Sequence, residues 1–508
     1  MLLTLSLLAP ALARSPGLPP EARARRSTAP DVTPTAPPPD DGLTVLGVLN
    51  TRLTATNVTT TNPLLNGQVV GTLGGLNTTS TGETASVSAE QRLGAFLRWA
   101  PPTLDGRFAL DAAFEVDYGF GDASYGIGGN TGGAYGGDQV NLQTRRLAGR
   151  VRLTPDTVAV LGLQFVADGA SDPATSTLDE LTRAGGRLMV FGSEAAGASV
   201  YGKVRDAWGE ERLRYRLGAY TLWEQAVGAR DDVTLWMADA QVAPTYAVRA
   251  GVHAWYLDDR AGGAAGLLGS GPTSALSELQ GGPRVGVRPD AEDAVPAPDT
   301  QVLWLGVDAG YNAGLDRGRV GATAAFIGNL GQIAGEGTVP VGIQGGLFDT
   351  EVRGRWAPGA GSIVRAEAVL ATGDGPGEDY YTGVLTGNSW GVVGAIATTH
   401  GCYLLFPDAH AVNRQVAAVY DVSNGGAGLG ALTASVGWDA IPNRVTLGAG
   451  GGHARTADGT SRGSELNARV TYRPWTLGEV GVHAGTLLGT TLPHDPWVVF
   501  TSLDGLVF

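Results

Sequence analysis

Arg212, Arg214 and Arg216 stand two residues apart in E-R-L-R-Y-R-L-G-A-Y-T-L-W, opposite Leu213, Tyr215, Leu217, Ala219, Thr221 and Trp223. In an extended chain that spacing puts three guanidiniums on one face about 6.8 Å apart. Such a row is a track along which an anion or polyanion passes from one partner to the next. It equally suits a second chemistry, in which each arginine pairs with a carboxylate on another strand, Asp111, Glu115 or Asp117, and stiffens a wall. Further polar candidates alternate in the same way: Arg92 and Arg98; Asn141, Gln143 and Arg145; Arg249 and His253; Arg365 and Glu367; Glu465, Asn467 and Arg469. Other chemistries find no residues. His253 and His483 have no nucleophile motif beside them. The single Cys402 and six scattered histidines give neither a disulfide nor a metal-ligand spacing, so no cofactor is expected. G-I-G-G-N-T-G-G and G-A-G-G-G-H lack the following helix that a phosphate loop needs. The acidic stretches 258 to 300 and T-G-D-G-P-G-E-D-Y at 372 to 380 lack EF-hand spacing and read as solvated loops, placed to gate or constrict a pore.

The elements that must hold these residues announce themselves by a two-residue period. In R-F-A-L-D-A-A-F-E-V-D-Y, residues 107 to 118, Phe108, Leu110, Ala112, Phe114, Val116 and Tyr118 share one parity, and Asp111, Glu115 and Asp117 the other. Segments of about ten residues with this period and aromatic ends are the signature of a transmembrane β-barrel, because strands in lipid satisfy their backbone groups only in a closed sheet. The firmest segments are 43 to 55, 91 to 100, 107 to 118, 138 to 147, 211 to 223, 245 to 256, 302 to 311, 318 to 328, 362 to 371, 412 to 422, 464 to 473 and 478 to 487. Lipid is expected to meet Leu93, Leu97, Trp99, Phe114, Tyr215, Leu217, Tyr246, Val252, Tyr256, Leu303, Leu305, Tyr311, Leu466, Val470 and Tyr472. An arginine at the bilayer midplane would cost about 2 to 4 kcal/mol. The charged parity must therefore point inward.

Tight turns at Pro101-Pro102-Thr103, Thr154-Pro155-Asp156, Ala357-Pro358-Gly359 and Ile441-Pro442-Asn443 alternate with long glycine-rich connections at 57 to 88, 119 to 138, 258 to 300, 372 to 389 and 455 to 463. Barrel residues 42 to 508, divided by roughly 24 to 28 residues per strand, give 16 to 20 strands, and the even-number rule centres the expectation on 18. A barrel of that width encloses water.

Glycine is 78 of 508 residues, charged residues are 17%, and no apolar run is long enough for a membrane-spanning helix. The net charge of -14 argues against a nucleic-acid partner. Residues 1 to 13 end in Ala11-Leu12-Ala13 and read as a secretory signal peptide without the usual basic start; 14 to 41 read as a proline-rich periplasmic tether.

The signal, the proline-rich lead, the strands and the terminal Phe508 make the chain resemble a bacterial outer-membrane porin. V-N-L-Q-T-R-R-L-A-G-R-V-R-L-T-P-D-T-V-A-V-L-G-L-Q at 140 to 164 and E-R-L-R-Y-R-L-G-A-Y-T-L-W-E at 211 to 224 are similar in style to strands of the alginate-export channels; phosphate-selective porins also carry arginine ladders. The resemblance implies an 18-stranded passive conduit in the outer membrane with an arginine-lined pore. It also implies insertion by the barrel-assembly machinery and polar, carbohydrate-like or anionic solutes as partners. The expected pore-lining set is Arg145, Arg212, Arg214, Arg216, Arg249, Arg365, Arg469, Asp111 and Glu115. The chain is not expected to be an enzyme. The alternative is a structural or adhesin-type barrel without an open pore. One departure from the barrel pattern is at the end: Asp504 and Ser502 interrupt the apolar alternation back from Phe508 to Phe500.

Overall fold

The computed structural model describes residues 42–60, 69–73, 79–104, 106–120, 141–170, 187–224, 232–260, 299–334, 340–375, 380–385, 387–388, 401–408, 411, 414–419, 422–424, 426–475 and 477–507. The signal and tether readings for 1 to 41 lie outside them, as do the side chains of Asp117, Asn141, Gln143, Leu506 and Phe508.

Eighteen strands form the wall. They are β1 Leu43–Thr60, β2 Thr79–Trp99, β3 Phe108–Gly119, β4 Asn141–Thr154, β5 Thr157–Asp168, β6 Arg187–Arg205, β7 Glu211–Trp223, β8 Val233–Val242, β9 Val248–Asp259, β10 Asp299–Tyr311, β11 Val320–Ala334, β12 Val341–Arg355, β13 Ile363–Ala371, β14 Leu429–Ile441, β15 Val445–Arg455, β16 Ser461–Trp475, β17 Gly478–Leu488 and β18 Trp497–Val507. Each pairs antiparallel with the next, and β18 returns to β1 from Gly47↔Val507 to Thr56↔Val498, so the sheet closes. Closure removes the edges that lipid would leave unsatisfied.

One end carries only short connections of two to eight residues between strands, including all four proline turns named above, together with the start of β1 and the end of β18. Asn443 sits there at φ 59 and Gly359 at φ 101, conformations for which Asn and Gly are the usual residues. The other end carries the long connections, up to 57 residues between β13 and β14. This asymmetry is that of periplasmic turns and extracellular loops.

The two-residue period sorts the faces as the sequence predicts. Leu93, Trp99, Leu110, Leu217, Val252, Leu303, Leu305, Leu466 and Val470 are exposed on the outside, whereas Asp111, Glu115, Arg216, Arg365, Glu367 and Glu465 are buried on the inside. A closed barrel with this apolar exterior is a transmembrane barrel of the bacterial outer-membrane type.

Three sequence expectations change. Residues 79–88 belong to β2 rather than to a connection. The segment 412 to 422 is not a wall strand: among its described residues Arg414–Ala417 is extended, paired in parallel with Val69–Thr72 in a separate two-stranded sheet. The connection after β13 accordingly runs to Gly428 rather than to 389. Tyr403, Leu404, Leu405, Phe406, Val419 and Val422 from it are buried in one apolar cluster with Trp255, Leu257, Trp304, Ile343 and Val369. Those five wall residues share the inward parity of their strands, so the described apolar residues of the long connection lie in the lumen against the side lined by β8 to β14.

Candidate functional site

The lumen is divided. On its β8 to β14 side described residues of the inserted connection pack against the wall, and its β2 to β9 side carries a row of basic groups.

The insertion is pinned from below by polar residues of the opposite strands. Glu465 on β16 accepts the backbone N–H groups of Tyr403 (2.7 Å), Leu404 (2.9 Å) and Leu405 (2.6 Å). Three consecutive amides on one buried carboxylate are charge-assisted bonds, the stronger class. Asn467, two residues on and therefore on the same face, donates to Glu465 at 2.7 Å and to the carbonyl of Gly401. Arg52 on β1 meets Asp408 at 2.5 Å, with its guanidinium carbon 3.8 Å from the centre of the Phe500 ring. The Tyr403 hydroxyl lies 3.0 Å from His483 Nδ1, and His483 stacks on Phe500 at 4.4 Å. From the filled side, Trp304 donates its indole N–H to the carbonyl of Leu385 at 3.0 Å. The insertion is thus held by charge on one flank and by apolar packing on the other.

On the basic wall three carboxylates each gather several cations. Asp111 on β3 lies 2.7 Å from Arg98, 3.5 Å from Arg146 and 3.6 Å from Arg150. Glu115, four residues along, lies 3.1 Å from Arg92 and 2.6 Å from Arg145. Glu211 lies 2.8 Å from Arg214, 3.7 Å from Lys203 and 3.8 Å from Arg249. In each group the cation is the more exposed partner: Arg98 at 25% against 0% for Asp111, Arg145 at 19% against 5% for Glu115, and Arg249 at 30% against 7% for Glu211. Water in the lumen therefore meets guanidinium first.

The nine residues expected to line the pore all belong to the inner side or its mouth, but they do not form one site. Asp111, Glu115, Arg145, Arg214 and Arg249 join the groups just described. Arg212 is at the short-turn mouth, 2.8 Å from Asp206 and 5.5 Å from the centre of the Tyr246 ring, which Arg317 flanks at 5.0 Å. Tyr246 therefore sits in a turn between two guanidiniums. The backbone N–H of Glu210 and the Arg212 guanidinium hold the Asp206 carboxyl below the usual carboxylate range. Arg216 is fully buried against Asp239 at 2.5 Å and offers the lumen no surface. The same Asp239 lies 2.7 Å from His253 Nδ1 and accepts from Trp255 at 2.9 Å, while His253 Nε2 lies 2.6 Å from Asp308. The network ties β7, β8, β9 and β10 together. Arg365 and Arg469 stand on the opposite side of the lumen, Arg365 buried and Arg469 half-buried beside the inserted connection at Gly401.

Arg146 and Arg150, like Arg52 and Lys203, are inward cations absent from the sequence-derived set. Between Ala113↔Arg146 and Phe114↔Thr144 the pairing of β3 and β4 skips Arg145. This bulge lets Arg145 and Arg146 both face inward and shifts the inward parity of the rest of β4. The signal was present: Leu147, Val151 and Leu153 alternate against Arg146 and Arg150.

No protein-family model matches the chain, and no curated protein matches it. Solved structures do. Pseudomonas aeruginosa OpdL is 10% identical over 92% of this chain and 98% of its own, with a TM-score of 0.48. A BenF-like porin from Pseudomonas fluorescens Pf-5 is 12% identical over 91% and 98%, at 0.46. Acinetobacter baumannii OccAB4 is 9% identical over 92% and 99%, also at 0.46.

Proposed function

We propose that this chain is a passive diffusion channel of the bacterial outer membrane, inserted by the barrel-assembly machinery, that favours small anionic and carbohydrate-like solutes. The observation that carries the reading is the exposure order on the β2 to β9 wall, where carboxylates are sunk behind the arginines that they hold. The carboxylates fix the guanidinium positions, and the guanidiniums present the field. Local anion concentration rises in a low-dielectric passage lined by one sign of exposed charge, and selection follows from width and field rather than from chemistry. The Arg212, Arg214, Arg216 row contributes unequally: Arg214 belongs to this wall, Arg212 to the mouth, and Arg216 to the structural network.

Planar-bilayer reversal potentials in a salt gradient test the proposal. Wild type should pass anions in preference to cations. Changing Arg98, Arg145, Arg214 and Arg249 together to Ser should lower the anion-to-cation permeability ratio several-fold, whereas Arg212→Ser alone should move it little. An unchanged ratio in the quadruple variant would reject the exposed-cation mechanism. The filled β8 to β14 side favours a second reading, a barrel without an open pore, and absence of any step conductance from inserted protein would establish it.

A further inference from the structure

At the short-turn end of the lumen, β11 to β13 carry a second group of cations, across from the basic wall. Arg353 and Arg355 on β12 share the inward parity of Leu347 and Glu351, and Arg365 on β13 shares that of Val369. Arg353 and Arg365 are direct cross-strand partners. Arg319, which leads into β11 on the parity of Gly321 and Ala325, accepts the backbone N–H of Arg355 on its carbonyl at 2.7 Å. The pairing Val320↔Gly354 therefore continues outward to Arg319 beside Arg355. The wall thus sets arginine against arginine in two adjacent rows. Like charges in direct opposition destabilise a sheet.

The carboxylates in reach do not balance these rows. Glu351 lies 2.7 Å from Arg353. The field at Arg365 comes from Glu351 and Glu367 and, with opposite sign, from Arg353 and Arg469. As on the basic wall, the acid is the deeper member: Arg353 is 21% exposed against 6% for Glu351. Asp308 on β10 is engaged by His253 at 2.6 Å, and Asp316 stands in the turn before β11. Among the described residues Arg319 and Arg355 make no ion pair, and the Arg355 Nε is buried without an acceptor. Arg319 is exposed at the mouth and Arg355 is half-buried behind it. An anionic oxygen arriving from the mouth meets guanidinium donors that no described carboxylate occupies.

We propose that Arg319, Arg353, Arg355 and Arg365 bind a divalent tetrahedral oxyanion at the short-turn exit of the lumen. A guanidinium stays charged and offers its donors as a planar fork. Two adjacent arginine pairs therefore suit an anion with acceptors on every side, whose two charges relieve the repulsion within both rows. A monocarboxylate would answer one pair and leave the other opposed. This deepens the anion-channel reading by naming the charge class held at the exit, and it rests on that reading for the supply of anion. Binding is measured without conduction, so the two can fail separately.

Equilibrium dialysis of radiolabelled inorganic phosphate against the folded full chain in neutral detergent, at constant ionic strength and a pH where phosphate is dianionic, tests the site. Wild type should bind phosphate saturably, with sulfate competing and chloride not. A hydrogen bond from a charged donor is worth about tenfold or more in affinity, so Arg319→Gln with Arg355→Gln should weaken binding at least about tenfold, while the paired lysine variants keep more of it. Arg98→Ser with Arg145→Ser, on the β2 to β9 wall, should leave phosphate binding unchanged. Arg319→Gln alone should weaken binding and yet raise the temperature at which the ligand-free barrel converts to its unfolded electrophoretic form, because it removes one of two opposed charges; an arginine with a merely structural role would lower it. Heat-modifiable electrophoretic mobility reports that each variant is folded. Unsaturable uptake by wild type, undiminished binding in the folded glutamine variants, or loss of binding in the wall variant would each overturn the proposal.

Discussion

At the scale of single residues, Glu465 shows how one carboxylate positions a whole insertion. Its two oxygens collect three consecutive amides, and leaving buried N–H groups without an acceptor costs about 1 to 3 kcal/mol each. Glu465→Ala should therefore loosen the segment at 401–408: single-channel currents become larger and noisier, and Cys402, buried in the native protein, reacts with a water-soluble maleimide. Unchanged labelling would show that apolar packing alone holds the segment. Arg52→Met should act in the same direction, because it removes the guanidinium from a buried pair with Asp408, a loss of about 3 to 5 kcal/mol. Its check is a lower midpoint of thermal unfolding together with the same gain in labelling. The sequence made the inward parity of Glu465 and Asn467 legible, but not their task. Their partners are backbone amides some sixty residues away in sequence, and a backbone N–H has no residue type to read.

At the scale of elements, β3 and β7, each with one charged face, were among the firmest sequence segments, whereas β8 was not. β8, V-T-L-W-M-A-D-A-Q-V, has Val233, Leu235 and Met237 inside and Trp236 outside. The inserted connection makes its inner face apolar, so the alternation fades, as it does wherever a sheet is covered on both sides. The opposite error arose at 412 to 422, where Ala418, Val419 and Val422 pack inside the lumen rather than in the wall. The interruption at Asp504 and Ser502 also has a structural reason: both are buried on the inner side with Phe500, while Val499 is exposed outside. The register between β4 and β5 depends on Gly162, which is at φ +127 with a virtual Cβ 2.4 Å from the carbonyl oxygen of Leu147. Gly162→Val should introduce strain of about 1 to 3 kcal/mol, seen as conversion to the unfolded electrophoretic form at lower temperature. No change in that temperature would mean that the bend relaxes freely.

At the scale of the molecule, wall and insertion are separable. The described residues of 376 to 424 add only two short parallel pairings to the wall, Tyr380–Tyr381 on β12 and Gly387–Asn388 on β6, and none of the eighteen pairings that close the barrel uses them, so replacing 376 to 424 by a short Gly-Ser linker should leave the barrel assembled. It should raise conductance and, by uncovering Trp255, Trp304 and Leu257 to lumenal water, create binding for an apolar fluorescent dye. Retained wild-type conductance would place the narrowest point elsewhere. The pairing of β1 with β18 carries a different consequence, one of time rather than of space. The first strand of the wall to be synthesised is mated to the last, so during synthesis the sheet is a ribbon whose leading edge has no mate. Bringing ends about 450 residues apart together costs about 5 kcal/mol of chain entropy by the logarithmic rule, and an unmated edge is a template for any other strand. Two ribbons that meet before either has sealed can exchange last strands. Refolding yield should therefore fall, and strand-swapped dimers rise, with protein concentration, unless a holder shields the leading edge until the trailing one arrives.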